Sequence, residues 1–387
     1  MTMANFNFKR WNLILGWLAF GVAFITYALT VEPTVGFWDT GEYILTSSKL
    51  EVGHPPGAPL FQMLGAFFSI FALEPAQIGL VLNLMSAAAS AFTILFMFWT
   101  IVLLLQNIAG KETELNSNKK AAILGAAFVG SLSFAFTDSF WFNAVETEVY
   151  AMATLIMAIM FYLGLRWEKE MNTPRGNRWL ILISFIVGLS FGVHFMGLLT
   201  IPAIGLLYYF KNYKTITPKN FILANIVVIA ILLFVFKLLA PNILRYFSAL
   251  EIFFVNRIGL PFNSGSIIAL ILLVLLVYYG LKLSKKKGYV FLNTGLLCVT
   301  FIIIGFTTWL MLPIRANANV PVNENNPSSA RELLAYYNLE QYPKTHLFYG
   351  HFETSNLKND WGRGVFVLNS NTFNVVLVLF SPISIKL

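Results

Sequence analysis

An all-α polytopic membrane protein is the fold class this sequence predicts, and three observations predict it. Hydrophobic residues make up 57% of the 387 and charged residues 11%, whereas soluble domains carry roughly 45–50% apolar and about 25% charged residues. Mean hydropathy is +0.71. Almost every charge falls between long apolar runs rather than within them, as in helices solvated by lipid. Together these exclude a water-soluble globular enzyme. The single cysteine, Cys298, lies inside an apolar run, so neither a disulfide framework nor a cysteine metal site is available.

Taken in order, the runs expected to span are 11–31, 77–106, 121–136, 150–165, 221–240, 265–283 and 289–312. The first is longer than the 7–15 residues of a secretory h-region and lacks a small-residue cleavage site, so it reads as an anchor. Residues 58–73 open with Pro55, Pro56 and Pro59 and predict an interfacial helix that does not cross. Residues 179–210 are too long for one span and carry Gly188, Gly192, Gly197 and Pro202, which predicts a hairpin turning near His194. That gives about nine spans.

Lysine and arginine decide the orientation, because retained cytoplasmic loops accumulate positive charge. Lys9 and Arg10, Lys111 to Lys120, Arg166 to Arg178, Lys211 to Lys219 and Lys282 to Lys287 fall on one side, and before residue 313 the opposite loops hold only Lys49, Arg245 and Arg257. The N-terminus is therefore expected in the cytoplasm, and the formal charge of +8 reads as topology, with no nucleic-acid partner. Only Glu112, Glu114, Glu168 and Glu170 of the 18 acidic residues fall on the basic side before residue 313. Any chemistry is expected to face away from it.

The first outer loop holds Asp39 and Glu42, three apart beside Trp38. A helix starting near Thr40 sets both carboxylates toward one side, and an aromatic that removes water raises a carboxylate's basicity, as a general base requires. The same Asp-Thr-Gly-Glu spacing equally suits a capping box. His54 heads a His-Pro-Pro-Gly turn and serves as a turn residue or a ligand. In the second outer loop Glu146 and Glu148 flank Thr147, with Tyr150 one turn beyond Glu146. They are either acids favoured at a helix N-terminus or a site for sugar hydroxyls or a divalent cation. Asn256 and Arg257 lie among aromatics in the third loop, and Arg315 follows the last span at headgroup depth. There a guanidinium suits a lipid phosphate as well as an interfacial anchor.

Gly188-Leu-Ser-Phe-Gly192 matches a nucleophile-elbow pattern but sits in an apolar helix, where paired glycines serve packing. His194 at the hairpin bend reads first as a packing residue and second as a substrate contact. No Walker loop, dinucleotide fingerprint or zincin motif is present, so soluble nucleotide donors lack a recognisable site. Residues 1–312 are expected to form the transmembrane catalytic domain. Residues 313–387 read as a polar extracytoplasmic segment with a short amphipathic helix near 329–337, ending in an apolar run as part of a longer chain.

FWDTGEYI with EVGHPPGAPLF, FWFNAVETEVYAM, GLSFGVHFMGLL, VNRIGLPFNSG and IRANANVPVNENNPSSARELLAYYNLEQYP occur in this order. Together they resemble the bacterial membrane proteins of glycosyltransferase family 117, relatives of the transmembrane-protein-260 type protein O-mannosyltransferases. The resemblance implies a GT-C bundle whose first outer loop bears a catalytic aspartate, here Asp39 with Glu42 beside it. It also implies a polyprenyl-phosphate sugar donor and places His54, Glu146 and Glu148 at the site. The expected activity is inverting transfer of mannose or another hexose to a Ser/Thr hydroxyl of a secreted or periplasmic protein, at a bacterial inner membrane. Asp39 would take the acceptor proton, and Arg315, helped by His54 or Arg257, would hold the phosphate. The reaction is expected to be metal-independent, Glu146 and Glu148 being where a cation would bind. A lipid-sugar flippase or transporter is the competing class, disfavoured because the acids cluster outside and Lys237 alone sits well inside a span. A non-catalytic envelope scaffold is the third.

Overall fold

The computed structural model describes residues 7–110 and 115–343. Expectations that fall on Lys111, Glu112 and Glu114, and on the chain beyond residue 343, lie outside the described residues. Fifteen α-helices are described: α1 (Phe8–Leu29), α2 (Thr40–Lys49), α3 (Pro59–Ser69), α4 (Ile78–Ala109), α5 (Ser117–Ala135), α6 (Asp138–Ala144), α7 (Val149–Glu170), α8 (Asn177–Ser190), α9 (Thr200–Asn212), α10 (Pro218–Leu233), α11 (Ala240–Ile252), α12 (Ser264–Lys286), α13 (Val290–Phe306), α14 (Met311–Ala316) and α15 (Ala330–Tyr337). The one extended contact among the described residues is a parallel bridge between Val52 and Asn323.

Local chemistry sets the helix starts. Asn7 and Asn116 cap α1 and α5 by accepting from the Arg10 and Lys119 N–H groups. Thr217 with Asn220, and Ser329 with Glu332, form reciprocal capping boxes on α10 and α15, each satisfying two otherwise orphaned donors. The start of α12 uses a buried acid instead: Glu251 accepts from the Asn263 and Ser266 N–H groups, both at 2.6 Å.

Among the described residues six helical stretches are long and apolar enough to cross a bilayer, and seven if α5 and α6, bent by 70°, count as one span. The expected nine are not reached because the hairpin arms α8 and α9 have only 14 and 13 residues. Both arms nevertheless run along α7, which is about 33 Å long at 1.5 Å per residue. Where α7 ends, Glu170 Oε2 accepts from Arg178 at 2.7 Å and Trp179 at 2.9 Å, and Lys211 pairs with Glu168 at 2.6 Å. Where α7 begins, the Tyr150 and His194 rings lie 5.3 Å apart. The turn therefore falls at His194, as the glycine and proline positions predict. α3, at 11 residues, is too short to cross.

Packing follows small residues and buried aromatics. α8 and α13 cross so closely that a Cβ on Gly188 would lie 2.2 Å from the Ile302 carbonyl, and one on Gly305 2.4 Å from that of Phe185. Ser190 Oγ is buried and donates to the Val187 carbonyl, so the Gly-x-Ser-x-Gly motif is a packing surface. Trp309 and Tyr336 are 2% and 1% exposed, and their polar atoms donate to the Phe191 and Gly53 carbonyls, as buried Trp and Tyr require. Leu223, Ile226, Leu272 and Leu276 on α10 and α12 face outward, the surface that lipid would solvate.

The compact unit runs Met1–Glu340. Residues 313–340 thus belong with the bundle rather than to a separate segment starting at 313, because α15 packs along α11 and Tyr336 reaches the Gly53 carbonyl. The second unit is Gln341–Leu387. Within the first, the ends of α4, α7 and α9 and the starts of α8 and α13 meet at one basic end, joined by contacts such as Lys169 to Gln106 and Asn177 to Thr294. The opposite end carries the cavity.

Candidate functional site

A cavity of about 440 Å³ opens at that opposite end, lined by Asp39, Tyr43 and His54 from one side and Glu146, Glu148, Tyr150 and His194 from the other. Asp39 occupies the N-cap position of α2 but makes no capping bond. Its side chain is 60% exposed. The capping-box alternative is therefore not realised, because Glu42 turns to the next loop instead. Trp38 does not desolvate Asp39 as expected: at φ 59° it stands 85% exposed and leaves the carboxylate in water.

Glu42 accepts from the His54 backbone N–H at 2.6 Å and from His54 Nδ1 at 2.9 Å. A Cβ on Gly53 would lie 2.6 Å from Glu42 Oε1, so this approach needs glycine. Burial works upward on the Glu42 carboxyl, but the two bonds from His54 outweigh it and hold it below its ordinary value. The Glu42 bond in turn raises the His54 imidazole against the opposing pull of burial. His54 Nε2 faces Asp39 Oδ2 at 3.9 Å.

The second loop is pinned from beneath. Thr147 Oγ1 donates to Asn83 Oδ1 at 2.5 Å, and Asn83 Nδ2 donates to the Glu32 and Thr34 carbonyls at 2.7 and 3.2 Å. Asn83 is fully buried on α4. With Thr147 fixed, Glu146 and Glu148 stand on either side of it, 5% and 6% exposed. Burial, then the charges of Asp39 and Glu146, push the Glu148 carboxyl up to about 7, against the Val149 and Asp39 N–H groups that favour its ionised form. Burial and the Glu32 charge raise Glu146 as well. His194 Nδ1 accepts from the Met196 N–H at 3.1 Å, and burial lowers its imidazole pKa, favouring the neutral ring. Burial, together with Glu148, Asp39 and Glu42, pushes the Tyr43 phenol up, so it is a donor at neutral pH.

Of the sequence-derived candidates, Asp39, His54, Glu146, Glu148, Tyr150 and His194 share the cavity wall, and Glu42 stands behind His54. Asn256 and Arg257 are exposed and outside it. Arg315 is also outside: its Nε and Nη2 donate to the Leu50 and Lys49 carbonyls at 2.5 and 3.1 Å. The last turn of α2 leaves carbonyls unsatisfied, and a cation there also suits the helix dipole. Sequence reading missed Tyr43 and Asn83. The lone Asn83 inside an otherwise apolar run was the available signal for the second, since a polar group in a span needs partners.

Fold and cavity together define a multi-pass helical membrane protein with an acid-rich, histidine-bearing site at one end of its bundle. Residues 39–217 match the family model described as the Protein O-mannosyl-transferase TMEM260 N-terminal domain. A Dictyostelium discoideum protein named Protein O-mannosyl-transferase tmem260 is 25% identical over 190 residues, covering 46% of this chain and 21% of the relative. The Mus musculus protein of the same name is 25% identical over 164 residues, covering 42% and 21%. The similarity covers just under half of this chain, and the chain spans about a fifth of the length of the curated relatives it matches. No solved structure matches it.

Proposed function

We propose that this chain carries the catalytic centre of an integral-membrane glycosyltransferase of GT-C type. It moves a hexose, mannose first, from a polyprenyl-phosphate donor to a Ser/Thr hydroxyl of a secreted protein on the extracytoplasmic face of a bacterial inner membrane. One observation carries the reading: the cavity's acids and histidines all fall within the segment, 39–217, that matches the O-mannosyltransferase family. The donor's tail stays in lipid, with its phosphate at the cavity mouth. The acceptor oxygen attacks the anomeric carbon with inversion, the bond to phosphate breaks, and its electron pair leaves on the lipid phosphate. Asp39, exposed into the cavity, takes the acceptor proton. Tyr43, Glu146, Glu148, Tyr150 and His194 supply donors and acceptors for sugar hydroxyls. A flippase is less well supported, because the described acids of the cavity and of the basic end sit at the ends of the bundle rather than along its spans, while Lys237 lies exposed on the π-helical stretch Phe234–Leu239.

The test is mannosyl transfer by the purified chain from polyprenyl-phosphate mannose to a Ser/Thr peptide. Asp39→Asn preserves size and removes the base, so turnover should fall by about 10²–10⁴. Near wild-type transfer by a folded Asp39→Asn protein would refute that role.

A further inference from the structure

We propose that the apolar cleft between α10 and the α8–α13 pair holds one acyl chain of an anionic phospholipid, with the lipid phosphate at Lys214 and Lys219. The cleft encloses about 560 Å³ and takes its walls from α7, α8, α9, α10 and α13. Close packing on two sides creates it. α8 and α13 meet at Gly188 and Gly305, and a Cβ on Gly205 of α9 would strike Val228 of α10. Between these two tight pairs the wall recedes: a Cβ on Gly295 of α13 would meet nothing within 4 Å. α10 lines the gap with Asn220, Leu223, Ala224, Val227, Val228 and Ile231, the three- and four-residue spacing of one helix face. From Asn220 to Phe234 the cleft runs about 21 Å at 1.5 Å per residue, enough for one leaflet's share, about 15 Å, of a ~30 Å hydrocarbon core.

A second, independent observation points to a ligand at the basic end. Trp167, near the end of α7, lines the cleft and is 6% exposed, yet its indole N–H is buried with no acceptor among the described residues. Its ring stacks on Tyr208, with centroids 6.0 Å apart and planes 14° from parallel. Leaving a buried donor unpaired is costly, and buried tryptophan N–H groups usually have a partner. The ester carbonyl of a phospholipid, set between chain and phosphate, supplies that acceptor. Charge at the mouth selects the headgroup. Tyr213 and Asn220 line the cleft. Their chain neighbours Lys214 and Lys219 are exposed with no acidic partner among the described residues, whereas Lys211 is held by Glu168. Two such lysines at headgroup depth favour an anionic lipid. This lipid is distinct from the sugar donor, whose phosphate the proposed transfer needs at the opposite end, by Asp39 and His54.

The experiment uses the full chain, delipidated in detergent and incubated with phosphatidylglycerol or phosphatidylcholine carrying a diazirine in one acyl chain. Native mass spectrometry counts the lipid retained, and digestion after illumination locates the crosslink. The wild type should retain one phosphatidylglycerol, at least ~10-fold more tightly than phosphatidylcholine, crosslinked to α8, α10 or α13 around Cys298. Lys214→Gln combined with Lys219→Gln should weaken phosphatidylglycerol binding about 10–30-fold and leave phosphatidylcholine unchanged. Trp167→Phe keeps a ring on Tyr208 but removes the N–H, and should weaken both lipids about 3–10-fold. Gly295→Phe fills the cleft and should abolish the crosslink. Gly21→Phe on α1, where a Cβ also meets nothing within 4 Å, should not. Equal retention of the two lipids by wild-type protein, or crosslinks scattered over the outward-facing surface, overturns the proposal without recourse to any variant. Displacement of phosphatidylglycerol by polyprenyl phosphate gives the cleft to the donor and also overturns it. So does a self-associated chain that binds no lipid and that Gly295→Phe turns into monomers.

Discussion

The two ends of the bundle use the same acidic side chains in opposite ways. At the basic end Glu168 meets Lys211 and Glu170 meets Arg166 and Arg178, in pairs 2.6 to 3.5 Å long on partly exposed surface. At the cavity end Glu146 and Glu148 are about 95% buried with no lysine or arginine beside them in the lining. Exposed pairs leave both charges solvated and contribute little. Acids buried together destabilise their own ionised forms, which is how Glu148 reaches about 7. At one end the acids are paired in water, and at the other they are buried and held back from ionising.

The contrast can be broken most strongly at Asn83. Asn83→Leu should leave the Thr147 hydroxyl and the Glu32 carbonyl unpartnered, cost about 2–3 kcal/mol of stability and displace both glutamates; thermal unfolding in nanodiscs and transfer rate measure the two effects. An undisturbed melting temperature would mean that water replaces the amide.

Glu148→Gln sharpens the comparison through pH. A carboxyl with a raised folded-state pKa favours folding fully below its unfolded value, near 4.5, and loses that advantage as pH rises through about 7. Removing the charge should therefore stabilise the protein at pH 8 by about 1–3 kcal/mol and change little at pH 4, even as activity falls. Equal melting shifts at both pH values would contradict this electrostatic account.

Arg315→Lys keeps a cation at the end of α2 but loses the fork on the Lys49 and Leu50 carbonyls. A loss of about 1–2 kcal/mol is expected, with the Michaelis constant for donor unchanged. A raised constant would instead return Arg315 to the phosphate. The smallest effect belongs to the basic end, where Arg178→Ala should cost less than about 1 kcal/mol and vanish in high salt, as equilibrium unfolding in a salt series would show.

Composition and charge spacing sufficed for the membrane class, the order of the helices, the clustering of basic residues at one end and the hairpin turn at His194. Each follows from short-range chemistry: apolar runs long enough to leave water, prolines and glycines that interrupt them, and charges that stay at their ends. Spacing in the outer loops singled out Asp39, Glu42, His54, Glu146 and Glu148, and the resemblance of the loop motifs gave them their expected roles. Tertiary structure alone decided what those residues do to one another. Asp39 left the cap and Glu42 took His54, because Gly53 lets the carboxylate approach the backbone. Arg315 became a clamp because it meets residues 265 and 266 positions earlier. The burial that sets Glu148 apart from Glu168 likewise comes from α2 and α7 facing one cavity. Local spacing records a residue's type and its near neighbours, but desolvation and pairing depend on contacts made across the fold.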